Sequence, residues 1–166
     1  MKVVNNSSHC RWDDRELENV ERDRAPQVRL NAATGGAGPL PILTTLLADP
    51  INIVSVPIDT RGMERPGVLL TFTGIINLPV GVLVTLNFQI NRSTNDGAAK
   101  VGSTYTFATL VTALEAEAFS FQFFDSPLEP NAYTYAVELS TNTIIEVTPG
   151  LTIQNATLSA LAVDNG

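Results

Sequence analysis

From Ile51 to Val163 the chain repeats one arrangement, short runs in which apolar and polar residues alternate, separated by turn-forming residues. In "VLVTLNFQIN", Val82, Val84, Leu86, Phe88 and Ile90 share one side, while Leu83, Thr85, Asn87, Gln89 and Asn91 share the other. A period of two is the signature of an extended strand with one face on a core. "EAFSFQFFD" places Phe119, Phe121 and Phe123 on one face, and "AYTYAVELS" does the same for Tyr133, Tyr135, Val137 and Leu139. Such strictly alternating aromatics read better as core than as a carbohydrate platform. "INIVSVPI", "PGVLLTFTGIINLP", "TYTFATLV", "TIIEV" and "LTIQNATLSALAV" complete the set of strands. Between two of them Asn95-Asp96-Gly97 is a hairpin turn, because Gly tolerates positive φ. Only "LVTALEAEA" has a helical flavour. Seven or eight strands of similar length predict an all-β fold, an antiparallel β-sandwich or jelly roll.

The first 30 residues break this pattern. "DDRELENVERDRA" is rich in helix-compatible residues, opens on acidic ones and places Glu18 four residues before Arg22. Its apolar stripe is only Trp12, Leu17 and Val20, too thin to hold a helix alone in water. The head is expected to be flexible unless a partner orders it. Gly35, Gly36 and Gly38 then read as a hinge, stiffened afterwards by Pro39 and Pro41. The expected organisation is an N-terminal extension over residues 1–38 and a sandwich domain over 39–166.

Charge sharpens the division. Residues 1–30 hold six of the ten Lys/Arg and six of the seventeen Asp/Glu, so the net charge of −7 belongs to the body. An acidic body with four scattered cations cannot neutralise a row of phosphates, which argues against nucleic acid as a partner. No apolar run approaches the roughly 20 residues of a bilayer-spanning helix, so membrane insertion is not expected. Charged residues make up only 16% of the chain. So light a charge suits either a surface covered by other subunits or a sandwich wetted by Thr, Ser and Asn.

Little in the chain suggests chemistry. His9 is the only histidine and lies in the head, so the body cannot build a histidine-based triad. Cys10 beside it makes two ligands at most, short of a tetrahedral metal site. As the lone cysteine, Cys10 is either a free thiol or half of an intermolecular disulfide. Glu115 and Glu117 share a strand face but have nothing nearby to raise a pKa. "ATGGAG" lacks the Lys-Ser/Thr of a phosphate loop. No catalytic residue, metal or cofactor is expected. After Met1-Lys2, "VVNNSSHC" has no apolar core of a secretory signal.

Through "VSVPIDT", "VLLTFTGII", "LNFQINR", "VGSTYTF", "AFSFQFF", "YTYAVEL" and "TIQNATLSALAV", in that order, the body resembles a family of small, usually cysteine-rich proteins of spore-forming clostridia and their relatives. "APQVRLNAATG" resembles that family's N-terminal block. The family has no assigned catalytic residues, and its loop cysteines are missing here from "RGMERP" and "DSPLEPN". More loosely, the body is similar to jelly-roll subunits of spore outer layers and appendages, in which an N-terminal extension reaches into a neighbour. That resemblance implies a structural protein at the cell or spore surface, polymerising with itself.

The expected contact is donor-strand-like: "QVRL" or "PILTTLL", released at the hinge, docks on a neighbouring subunit. Its candidate residues are Cys10, Trp12, Val28, Leu30, Ile42, Leu43, Leu46 and Leu47, with Cys10 able to lock neighbours covalently. The alternative is a soluble binding module for carbohydrate or a protein receptor.

Overall fold

The computed structural model describes residues 27–40, 49–79, 83–110, 115–141 and 150–164. They form eight strands: β1 (Val28–Ala37), β2 (Ile51–Asp59), β3 (Pro66–Leu78), β4 (Leu83–Thr94), β5 (Gly97–Leu110), β6 (Glu115–Asp125), β7 (Ala132–Thr141) and β8 (Thr152–Asp164). Two four-stranded sheets result, ordered β1-β8-β3-β6 and β2-β7-β4-β5, with every pair antiparallel. The first strand pairs the last, the second the seventh, the third the sixth and the fourth the fifth. This is a chain folded in half at the β4–β5 turn, whose double ribbon then wraps into two layers: a jelly roll. The all-β sandwich read from the alternation is the fold found.

The core lies between the sheets. From β3 come Val68, Leu70, Phe72, Ile76 and Leu78, from β4 Leu86, Phe88 and Ile90, and from β7 Tyr133, Tyr135, Val137 and Leu139. β8 adds Ile153, Ala156, Leu158, Ala160 and Ala162, whose alanines let the sheets approach closely. Each large side chain withdrawn from water here contributes about 1.5–3 kcal/mol. Phe72 and Phe121 stack at 5.0 Å, and Tyr105 lies on Phe121 at 4.0 Å, so Phe119, Phe121 and Phe123 of β6 do face inward. The Asn95-Asp96 turn joins β4 to β5 directly, Thr94 pairing with Gly97. Both described ends of "LVTALEAEA" are strand, the end of β5 and the start of β6.

Two sequence expectations are corrected. The sandwich begins at Val28, not at 39, because β1 pairs with β8 from Val28↔Val163 to Ala37↔Ile153. Gly35, Gly36 and Gly38 are not a free hinge. A Cβ at Gly35 would lie 2.1 Å from the Ile53 carbonyl oxygen, and one at Gly36 2.6 Å from that of Ile153. Gly38, at φ +109°, would set its Cβ 2.7 Å from the Leu151 carbonyl oxygen. These glycines permit close packing of one backbone on another; freedom of movement is not their role. Cys10, Trp12, Ile42, Leu43, Leu46 and Leu47, together with "PILTTLL" and "TIIEV", lie outside the described residues.

Candidate assembly surface

The two sheets present unlike outer faces. On the β1 sheet the outward residues are Val28, Leu30, Ala32 and Thr34 of β1, then Thr157, Ser159, Leu161 and Val163 of β8. Leu69, Thr71, Thr73, Ile75 and Asn77 of β3 follow, then Ala118, Ser120, Gln122 and Phe124 of β6. None is charged. Register aligns Leu30 with Leu161, Leu161 with Leu69, and Leu69 with Phe124, an apolar row across all four strands. Val28 and Val163 extend it at the strand ends. Among the described residues the exposed large hydrophobics are Val28 at 59%, Leu30 at 70% and Phe124 at 50%, all on this face. The neighbouring rows are Ala32-Ser159-Thr71-Gln122 and Thr34-Thr157-Thr73-Ser120, uncharged and short.

Both flanks of the sandwich are sealed by side chains reaching across to edge backbone. On one side the Arg29 guanidinium donates to the carbonyl oxygens of Asp59 (2.7 Å) and Arg61 (3.0 Å), and Asn31 Nδ2 donates to that of Pro57 (2.8 Å). These occupy carbonyls along and just beyond the edge strand β2, whose Pro57 has no N–H to offer. On the other side Tyr105 of β5 donates its hydroxyl to the Gln122 carbonyl of β6 at 3.0 Å. Gly102, at φ +70°, leaves room there for the Phe123 ring, which a Cβ would approach to 2.9 Å. Side-chain occupation of this kind is one way a sandwich blunts its edges.

Between the sheets, one end of the core holds an ion pair. Arg92 continues the inward series Leu86, Phe88, Ile90 and donates to Asp125 Oδ2 at 2.9 Å; the Tyr135 hydroxyl donates to the same oxygen at 2.9 Å. The Arg92 guanidinium also lies 5.7 Å from the Tyr133 ring centre, within cation–π range. Burial, and then the Asp125 carboxylate, push the Tyr135 phenol far above its ordinary value. Burial likewise raises the Tyr133 phenol. A neutral phenol bonded to a carboxylate already held by arginine has no free base and no nucleophile at hand. The cluster ties β4 to β6 and β7 across the sandwich; it is structural. At the surface, Arg61 Nε and Nη2 donate to the two Asp59 carboxylate oxygens at 2.9 and 2.8 Å, which holds the Asp59 carboxyl far below the usual range.

No three His, Cys, Asp or Glu side chains converge on a possible metal position among the described residues. A surface depression of about 370 Å³, bordered by Asn31, Pro57, Asp59, Asn95 and Tyr133, likewise brings together no acid–base pair or activated nucleophile.

Of the residues singled out from sequence, Val28 and Leu30 stand on the apolar row, and the glycines are packed in or just after β1. Phe124, Leu69, Leu161 and Val163 were missed. Phe124 had a signal: two consecutive phenylalanines in a strand must point to opposite faces. Arg92 also had one, since it keeps the inward parity of the apolar residues before it.

The fold and this face define a jelly-roll β-sandwich module with one uncharged, partly apolar sheet surface. The chain belongs to the family described as a domain of unknown function (DUF4489), which it matches over residues 27–163, the span that opens with β1. No curated protein matches it. Among solved structures it is similar to one of the infectious bursal disease virus Gx strain, at 14% identity and a TM-score of 0.51, over 86% of this chain and 33% of the viral one. It thus spans about a third of that viral chain, and the likeness concerns the fold alone. A xylan-binding domain (CBM22-1) of Paenibacillus barcinonensis Xyn10C, at 13% identity, aligns over 87% of this chain and 88% of that one with a TM-score of only 0.29. The tailspike protein 4 domain of bacteriophage CBA120 gives 12% and 0.30 over 80% of this chain and 19% of that one.

Proposed function

We propose that this chain is a structural protein that assembles with copies of itself into a fibre or layer at the cell or spore surface. The outer face of the β1 sheet is its contact, and the residues ahead of β1 are its connector. The observation that carries this reading is the row Leu30-Leu161-Leu69-Phe124 on a face whose described outward residues carry no charge. An apolar row on an uncharged sheet loses little on being covered and gains roughly 25 cal/mol per Å² of apolar surface removed from water. In the donor-strand form of the contact, a segment such as "QVRL" adds to a neighbour's edge. Here Val28–Leu30 is engaged with β8 of its own chain, and the β2 and β6 edges carry the Arg29, Asn31 and Tyr105 bonds, which favours face docking over strand addition. Cys10, in the connector, is placed in sequence to lock neighbours once docked.

Sedimentation velocity over a range of concentrations, with negative-stain microscopy, tests the reading. The full chain should associate, and a Leu30→Asp/Phe124→Asp variant should stay monomeric with an unchanged unfolding curve. A variant that assembles like the unaltered chain contradicts it. So does an unaltered chain that is monomeric throughout and retained by immobilised glycans, the behaviour of a binding module.

A further inference from the structure

Among the described residues the exposed large hydrophobics, Val28, Leu30 and Phe124, all stand on the outer face of the β1 sheet. The opposite outer face carries Glu138, Lys100 and the amides of Asn87, Gln89 and Asn91. An apolar row docks on an apolar partner, and the described surface of one copy offers that chemistry on this face alone. A second copy therefore meets the row with its own row. The polar groups beside the row are partly satisfied within the face. Gln122 Nε2 donates to Thr71 Oγ1 at 3.3 Å, and Asn77 Nδ2 to Thr152 Oγ1 at 3.0 Å, so a dry contact leaves few of them unpaired. Contact through the same patch on both molecules is two-fold and closes on itself.

The place of the row within the face fixes the direction of the two-fold axis. Toward one end of the sheet only Val28, Val163 and Gly67 lie beyond it. Toward the other the face continues past Ala32 and Thr34 to Ile75, Ala118 and Asn77. An axis along the row would overlay the two rows and leave most of each sheet hanging past its partner. An axis along the strands overlays the whole faces, with the sheets aligned as in the packing of one sheet on another. Gly67 to Asn77 spans about 37 Å of strand, and four strands about 19 Å, so each face covers roughly 700 Å². Two such faces make roughly 1,400 Å², within the 1,200–2,000 Å² or so of a stable interface. We infer that the first step of assembly is a closed pair, two copies joined face to face through their β1 sheets about an axis along the strands. Leu30 then lies against the second copy's Phe124, and Leu161 against its Leu69. This rests on the assembly reading and supplies its geometry: a fibre or layer grows from pairs, through surfaces other than this one.

Ala32 and Gln122 are exposed, point outward and sit on the two edge strands of the sheet. The pair sets Ala32 of one copy over Gln122 of the other, and holds the two Ala32 residues about 14 Å apart across the strands. Ala32→Cys and Gln122→Cys are each made in the full chain with Cys10→Ser and treated with a short bismaleimide. The mixture of the two should yield a linked pair, at least ten-fold more than either variant alone. The double variant Ala32→Cys/Gln122→Cys should stop at two linked chains, and sedimentation velocity of the unaltered chain should show a two-chain species before larger assemblies. Either variant linking alone as readily as the mixture overturns the inference, as does a ladder of linked chains from the double variant. So does an unaltered chain that passes from one copy to large assemblies with no two-chain species. In those cases association itself is still seen and the assembly reading stands; a chain that is monomeric throughout overturns both.

Discussion

The outer faces of the two sheets are built from the same backbone, yet they treat water differently. On the β2 sheet the outward positions are Asn52, Ser55, Thr134, Glu138, Asn87, Gln89, Asn91, Thr104 and Thr106, with Lys100 on the edge strand. Their polar groups bond one another: Thr104 donates to Gln89 (3.1 Å), Thr106 to Asn87 (3.0 Å) and Asn52 to Ser55 (2.9 Å). Covering such a face would bury its exposed charges and amides at a cost. The described outward residues of the β1 sheet carry no charge and include an apolar row, so covering them costs little. The difference teaches where a second molecule could sit at least cost: on the outer face of the β1 sheet.

The Arg92–Asp125–Tyr135 cluster belongs to neither face, and breaking it should leave the contrast intact while weakening the whole. Asp125→Ala leaves the Arg92 charge and the Tyr135 hydroxyl unpaired at a mostly buried site. Denaturant unfolding should show a loss of about 2–3 kcal/mol, with association per folded molecule unchanged. If association falls as much as stability, the faces are not independent of the core. Tyr135→Phe removes one bond and should cost about 1 kcal/mol.

That phenol also sets an alkaline limit. Its folded pKa lies above its unfolded value of about 10, so the folded state keeps the proton longer. The stabilisation is complete below about pH 10 and is lost as pH rises further, because the unfolded chain then binds fewer protons. Stability of the unaltered chain should fall from pH 10 to 11, and the fall should be shallower in Tyr135→Phe. Equal slopes would remove Tyr135 from the account. Asp59 has the opposite sign: bound by Arg61, it stabilises above the ordinary carboxyl range and that contribution fades as pH falls. Glu138→Gln on the polar face should have the smallest effect, within about 0.5 kcal/mol of stability and with no change in association.

Much of the fold was legible because most strands carry the core on alternate residues, as Leu86, Phe88 and Ile90 do. β1 was not, for a physical reason. Its inward positions are Arg29, Asn31, Ala33, Gly35 and Ala37, and its large apolar residues point outward, so its pattern is that of a strand turned inside out. The three glycines read as freedom because sequence does not show which backbone will lie 2–3 Å from a missing Cβ. The apolar row was hidden more thoroughly. It runs across strands, and Leu30, Leu69, Phe124 and Leu161 become neighbours only through pairings between distant parts of the chain. Val28 and Leu30 were singled out from their place at the end of the head, and the structure puts both on that row.

The most direct test sets one face against the other with matched substitutions. Phe124 and Ala98 are both exposed, each on an edge strand and each pointing outward from its own sheet. Sedimentation velocity of Phe124→Asp and Ala98→Asp, beside the unaltered chain at one concentration where it associates, compares the faces directly. The account predicts that Phe124→Asp abolishes association and Ala98→Asp leaves it as it was. Equal loss in both, or loss only in Ala98→Asp, would contradict it.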